Sequence, residues 1–124
     1  MSRWTRAERN LFRLLAVLAL VSATWLAVAP VEQVPTAHWN DKLVHLLAFA
    51  VLAGLVDFGW VRGPFVTRGI LLLGYGLFIE LLQYGLPHRS FELLDLAADG
   101  LGILFYLSMV PLLRRLPWLS RRWA

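Results

Sequence analysis

Cysteine is absent from the 124 residues, which excludes disulfides, thiolate nucleophiles and cysteine-bound metal centres. Charge is scarce as well: Asp, Glu, Lys and Arg make up 16% of the chain against 59% hydrophobic residues. A soluble domain carries about 25% charge and about 45–50% apolar residues. With a mean hydropathy of +0.63, the chain lacks the polar surface to cover a soluble globule. Length is the third shortage. Each crossing of the hydrocarbon layer takes roughly 20 apolar residues, so four crossings leave only short connectors and no room for a second domain. A single unit over residues 1–124 is expected, with no repeat or low-complexity segment.

What the chain does have is four apolar stretches, residues 11–29, 43–61, 69–85 and 91–113, punctuated by charge and by Pro30, Pro35, Pro64 and Pro87. Proline lacks the N–H that would continue a helix and disfavours helix in the residue before it. The expected fold is therefore all-α: a polytopic membrane protein, a compact antiparallel bundle of four transmembrane helices. A cleaved signal peptide competes for the first stretch, which has a basic start and ends in Ala27-Val28-Ala29. Its apolar run is too long for a typical signal core, and Pro30 makes a poor cleavage substrate, so it is read as a helix that stays in the membrane.

Arginine and lysine give the orientation. Arg3, Arg6, Arg9 and Arg13 precede or open the first stretch, Arg62 and Arg68 lie at the second connector, and Arg114, Arg115, Arg121 and Arg122 follow the last stretch. Only Lys42 and Arg89 lie at the other connectors. This alternation predicts both termini on the cytoplasmic side of a plasma (bacterial inner) membrane. The formal charge of +4 would suit nucleic acid if the basic residues formed one stripe. Each cluster instead abuts a membrane stretch, so no nucleic-acid partner is expected. The six tryptophans fall mostly near span ends, as an interfacial aromatic belt does. Small residues recur at four-residue spacing: Ala19, Ala23 and Ala27, then Ala50 and Gly54, then Ala98 and Gly102. Such ridges let helices approach closely, within one bundle or between the copies of a homo-oligomer.

The informative residues are the ionisable and amide groups inside or beside the apolar stretches: Asp41, Lys42, His45, Asp57, Glu80, Gln83, Asp95 and Asp99. A charge at the bilayer centre costs about 2.5–3.5 kcal/mol on insertion scales, so it normally faces protein or water and marks function. Asp57 lies near the cytoplasmic end and is read as structural, paired with Arg62 or Arg68. The others reach one layer in the outer half of the membrane. Asp41 and His45 are one helical turn apart, as are Glu80 and Gln83, and Asp95 and Asp99, so each pair shares a helix face. Ser90 is the expected N-cap of the fourth helix, with Glu92 in its first turn. Glu92 and His88 are read as cap and loop residues.

Asp41-Lys42-Leu43-Val44-His45 followed by Phe49 resembles the Asp-Lys-x-x-His start of a helix in VanZ-like membrane proteins. Glu80-Leu81-Leu82-Gln83, then Arg89-Ser90, Asp95 and Gly102, is similar to that family's second block. Together they span about half the chain. The resemblance implies a link to cell-envelope biology and to glycopeptide antibiotic resistance, and it supplies no reaction. One position departs from the family pattern: Asp99 stands where asparagine is usual. An acid there is either neutral or paired with a cation such as His45, Lys42 or Arg89.

Four readings follow. The favoured one is an outward-facing polar pocket between the second, third and fourth helices that binds a membrane lipid, an envelope lipid-linked group or a glycan. Asp41, Lys42, His45, Glu80, Gln83, Arg89, Ser90, Asp95 and Asp99 are its candidate residues. A second is an outer-leaflet enzyme using His45 with Glu80 or Asp95 as acid and base. A third is a small proton-coupled transporter relying on Glu80 and Asp99. The fourth is an interhelical polar network that only holds the bundle together. A metal centre of His45 with Glu80 and Asp95 is set aside, and no cofactor is expected.

Overall fold

The computed structural model describes residues 2–35 and 37–124. Among them are four α-helices, α1 (Arg6–Val28), α2 (Asp41–Gly59), α3 (Phe65–Tyr84) and α4 (Leu93–Leu113), each long and apolar enough to cross a membrane. The fold is all-α, and by helix length and hydropathy the chain is a multi-pass membrane protein. Outward-facing residues such as Val21, Ile70, Leu71, Leu94 and Leu104 are apolar and exposed, as a lipid-facing surface requires.

The helices begin where caps place them, which is not where the apolar runs begin. Thr5 and Glu8 form a capping box: Thr5 Oγ1 accepts the Glu8 N–H at 3.1 Å and Glu8 Oε2 accepts the Thr5 N–H at 2.7 Å. This carries α1 back to Arg6, ahead of the expected residue 11. Asn40 caps α2 by accepting the Leu43 N–H at 3.1 Å, so Asp41 and Lys42 lie within the helix. α3 starts directly after Pro64. α4 starts later than expected: its N-cap is Glu92, and Ser90 lies outside the helix and is exposed. The expectation of a Ser90 cap is corrected here. The Glu92 backbone N–H is taken instead by the side chain of Glu80 on α3, at 3.1 Å.

α2 is the central helix, packed most extensively on α4 and next on α1. The α2–α4 contact uses the small-residue ridges. A Cβ at Gly102 would fall inside van der Waals contact of the Leu46 carbonyl oxygen and 3.0 Å from the Ala50 nitrogen. One at Gly54 would meet the Tyr106 ring at 3.3 Å. At the end of the bundle that carries both termini, Trp4 is buried and its ring lies 5.3 Å from Phe12, 5.9 Å from Phe58 and 4.9 Å from Trp118. Trp4 is thus a core residue, a correction to its expected place in the interfacial belt. Trp25, Trp39, Trp60 and Trp118 are exposed.

The C-terminal tail folds back over this knot. Arg121 meets Glu8 through two contacts, Nη1 to Oε1 at 2.7 Å and Nη2 to Oε2 at 3.1 Å, and its carbonyl accepts the Arg3 N–H at 2.7 Å. Arg122 is buried and reaches Asp57 on α2 at 2.8 Å.

Candidate functional site

The opposite end, bounded by the connectors 29–40 and 85–92, gathers most of the polar residues singled out from the sequence. Lys42 Nζ donates to Asp41 Oδ2 at 3.1 Å, to Asp95 Oδ1 at 2.6 Å and, in a closer contact, to Glu92 Oε2. One turn further along α2, His45 Nδ1 is hydrogen-bonded to Asp99 Oδ1 at 2.7 Å, and its Nε2 faces Asp95 Oδ2 at 3.6 Å. Asp99 is therefore paired with His45, one of the cations considered for it, and not with Arg89. Its carboxylate fits because α3 carries Gly76 opposite: a Cβ there would stand 2.5 Å from Asp99 Oδ2. Glu80 and Asp99 are fully buried. Among the described residues, Glu80 Oε1 and Asp99 Oδ2 have no hydrogen-bond partner.

Gln83 and Arg89 are turned elsewhere. α1 ends without a basic residue in its last turn, so its final carbonyls need donors from outside the helix. Gln83 Nε2 donates to Ala27 O at 3.2 Å, and Arg89 Nη2 donates to Leu26 O at 3.0 Å and Ala29 O at 2.9 Å. His88 Nε2 meets Val28 O at 3.2 Å. These residues anchor α1 to the rest of the bundle.

Beside the polar cluster, on its α1 side, lies a cavity of about 210 Å3. Its apolar wall comes from Ala23 and Leu26 of α1, Val31 and Val34 of the connector, Ala48 and Phe49 of α2, and Ile79 of α3. Asp41, His45, Gln83 and Arg89 supply polar groups to the same wall. The space expected between α2, α3 and α4 is therefore displaced toward α1, and Glu80, Asp95 and Asp99 stand behind the wall. The α1 and connector residues were missed because their side chains are apolar and α1 carries no buried charge. The Ala23 and Ala27 ridge was the one legible trace of them: both residues line this cavity. Tyr75 lines it too and ties α3 to α1, donating to Leu20 O at 3.0 Å beside Thr24 Oγ1 at 2.8 Å.

At the other end, Asp57 pairs with Arg68 at 2.9 Å, as expected for one of its two proposed partners. Arg62 contributes only its carbonyl, which accepts from Arg68 Nη1 at 2.9 Å. Arg122 and Tyr106 complete the group and were not foreseen.

No family model matches the chain, and no solved structure matches it. It is 34% identical over 101 residues to an uncharacterized protein of the fission yeast Schizosaccharomyces pombe, a match covering 77% of this chain and 59% of the yeast protein. The chain thus spans less than two thirds of that relative's length, and the relative's description assigns no function.

Proposed function

We propose that the chain recognises or handles a cell-envelope lipid through the cavity between α1, α2 and α3. One observation carries this reading: an apolar chamber meets a rim of Asp41, His45, Gln83 and Arg89, which matches a molecule with a hydrocarbon part and a polar head. The volume limits the mode. At about 210 Å3 the chamber falls short of the roughly 300–1,000 Å3 that encloses a drug-sized ligand. It takes a segment of chain, while the headgroup stays at the rim, where Arg89 offers a cation for phosphate or carboxylate. The VanZ-like motifs at Asp41–His45, Glu80–Gln83 and Arg89–Gly102 support an envelope ligand and a link to glycopeptide resistance. The arginine distribution supports a rim on the extracytoplasmic side.

Native mass spectrometry of protein extracted in mild detergent is expected to show a retained lipid. Ala23→Phe and Ala48→Phe, which fill the chamber, are expected to lose it while keeping the thermal midpoint within a few degrees. A lipid-free wild type, or variants that retain the same lipid equally, would overturn the reading. A second reading is favoured by one contact, the 2.7 Å pairing of His45 with Asp99, which orients an imidazole as a general base does. On that reading His45→Ala abolishes turnover of a lipid-linked substrate; unchanged turnover removes it.

A further inference from the structure

Five carboxylates converge at the end of the bundle that carries the cavity: Asp41, Glu80, Glu92, Asp95 and Asp99. Lys42 meets three of them, Asp41, Glu92 and Asp95. Arg89 gives its Nη2 to the carbonyls of α1 and, among the described residues, forms no ion pair with any of the five. Glu80 is fully buried with one oxygen lacking a partner among the described residues, and its charged neighbours are Asp95, His45 and Asp99. Of the five, Glu80, Asp95 and Asp99 are buried, and buried negative charge in an apolar bundle is costly unless a cation joins it.

His45 indicates the kind of cation. Its Nδ1 is held by Asp99 Oδ1, which aims Nε2 at Asp95 Oδ2 across 3.6 Å. That spacing is beyond hydrogen-bond range, and Oδ2 is the oxygen of Asp95 that Lys42 does not use. Two groups so placed are bridged by a proton on Nε2 or by a metal ion that both ligate, and the second carboxylate, Asp41, within reach of the same point suits the metal. A buried carboxylate behind an imidazole is also how proteins orient a histidine on a metal and raise its basicity. One donor atom each from Asp41, His45 and Asp95 lies within 4.8 Å of the others.

We propose that Asp41, His45 and Asp95 bind a divalent transition-metal ion, with Zn2+ the best fit, and that Asp99 acts by orienting His45. One imidazole and two carboxylates are donors that zinc accepts at about 2.0–2.2 Å. Closing the triad around an ion takes a contraction of about 1 Å, estimated from those bond lengths. Asp41 can supply it, because its side chain is 60% exposed at the start of α2. Asp41 and His45 also line the cavity, so the ion stands at its rim. The metal site does not rest on the lipid reading and survives its failure.

The test is a calorimetric titration of the chelator-stripped, detergent-purified full chain with Zn2+, with elemental analysis for stoichiometry. One equivalent is expected, with binding lost in His45→Gln and Asp95→Asn. Asp99→Asn is expected to weaken it about 10–100-fold, the usual cost of removing the group that orients a metal-bound histidine. Should the buried variants fail to fold, Asp41→Asn carries the test, with at least a tenfold loss expected at an exposed position. The absence of stoichiometric Zn2+, equal affinity in Asp41→Asn and wild type, or binding of Mg2+ or Ca2+ in preference to Zn2+ would each overturn the proposal. Lys42 and protons would then balance the carboxylates.

Discussion

Gly102→Leu is expected to prevent assembly of the bundle, and Gly102→Ala to lower its thermal midpoint in detergent by on the order of 10 °C. The reasoning starts from the Cβ that neither substitution can avoid adding. At Gly102 this atom falls inside van der Waals contact of the Leu46 carbonyl oxygen and 3.0 Å from the Ala50 nitrogen. Both are backbone atoms of α2, so no rotamer change relieves the clash and α2 and α4 must separate. Overpacking a core costs typically about 1–3 kcal/mol when side chains can adjust. A clash with backbone belongs at or above the top of that range, and about 3 kcal/mol corresponds to the shift stated for a domain of this size. Separation would also pull Asp95 and Asp99 on α4 away from Lys42 and His45 on α2, so the polar cluster would be lost with the packing. Gly74 provides the control: a Cβ there meets nothing within 4 Å, and alanine favours helix over glycine by up to about 1 kcal/mol. Gly74→Ala is expected to leave the midpoint unchanged or slightly raised. Equal effects at the two positions would show that α2 and α4 do not approach at Gly102.

That contact was partly legible beforehand, and it shows which kind of information a linear reading holds. Spacing along one helix is encoded locally, so the Ala50–Gly54 and Ala98–Gly102 ridges and the Asp41–His45 and Asp95–Asp99 faces could be read directly. Which ridge meets which depends on how four helices share space, and an oligomer interface would have used the same residues. The apolar runs located the four helices but missed their ends, because Thr5 and Asn40 cap from outside the runs. Gln83 and Arg89 were assigned to a pocket by residue type. Both do line the cavity, but their hydrogen-bond partners are the carbonyls of α1, which every sequence possesses and none advertises. The same blindness hid the cavity wall, whose alanines, valines and leucines look like any lipid-facing helix until Val31, Val34 and Ala37 of the connector close over them. Trp4 was placed in the interfacial belt with the other tryptophans, which fall mostly near span ends. Only the tail returning over α1 explains why it is 3% exposed.

Asp57→Ala is expected to be the most damaging single loss of a side chain at the end that carries both termini, costing about 3–5 kcal/mol. Its Oδ1 lies 2.9 Å from Arg68 Nη2 and 2.8 Å from Arg122 Nη2, and its Oδ2 accepts the Tyr106 hydroxyl at 2.5 Å. Asp57, Arg68 and Arg122 are all buried. Removing the one carboxylate strands two guanidiniums, and breaking a buried pair by deleting one partner costs about 3–5 kcal/mol because the remaining charge is uncompensated. Arg68 and Arg122 also border an open cleft with Phe65, Pro111 and Trp123, so water reaches part of the group and the lower end of the range applies. The damage should have a local signature. Arg122 is what ties residues 119–122 to α2, through Asp57 Oδ1 and through the Asp57 carbonyl at 2.6 Å, so limited trypsin digestion should cut Asp57→Ala at Arg114 and Arg115 well before wild type. Arg122→Ala frees the same tail but leaves Arg68 paired with Asp57, so it should show the early cleavage with a smaller fall in thermal midpoint. The triple variant lacking Asp57, Arg68 and Arg122 side chains should be more stable than Asp57→Ala alone, since it carries no unpaired charge. If the triple variant is instead the least stable of the three, the guanidiniums are held by packing and backbone carbonyls, and Asp57 is not what keeps them buried.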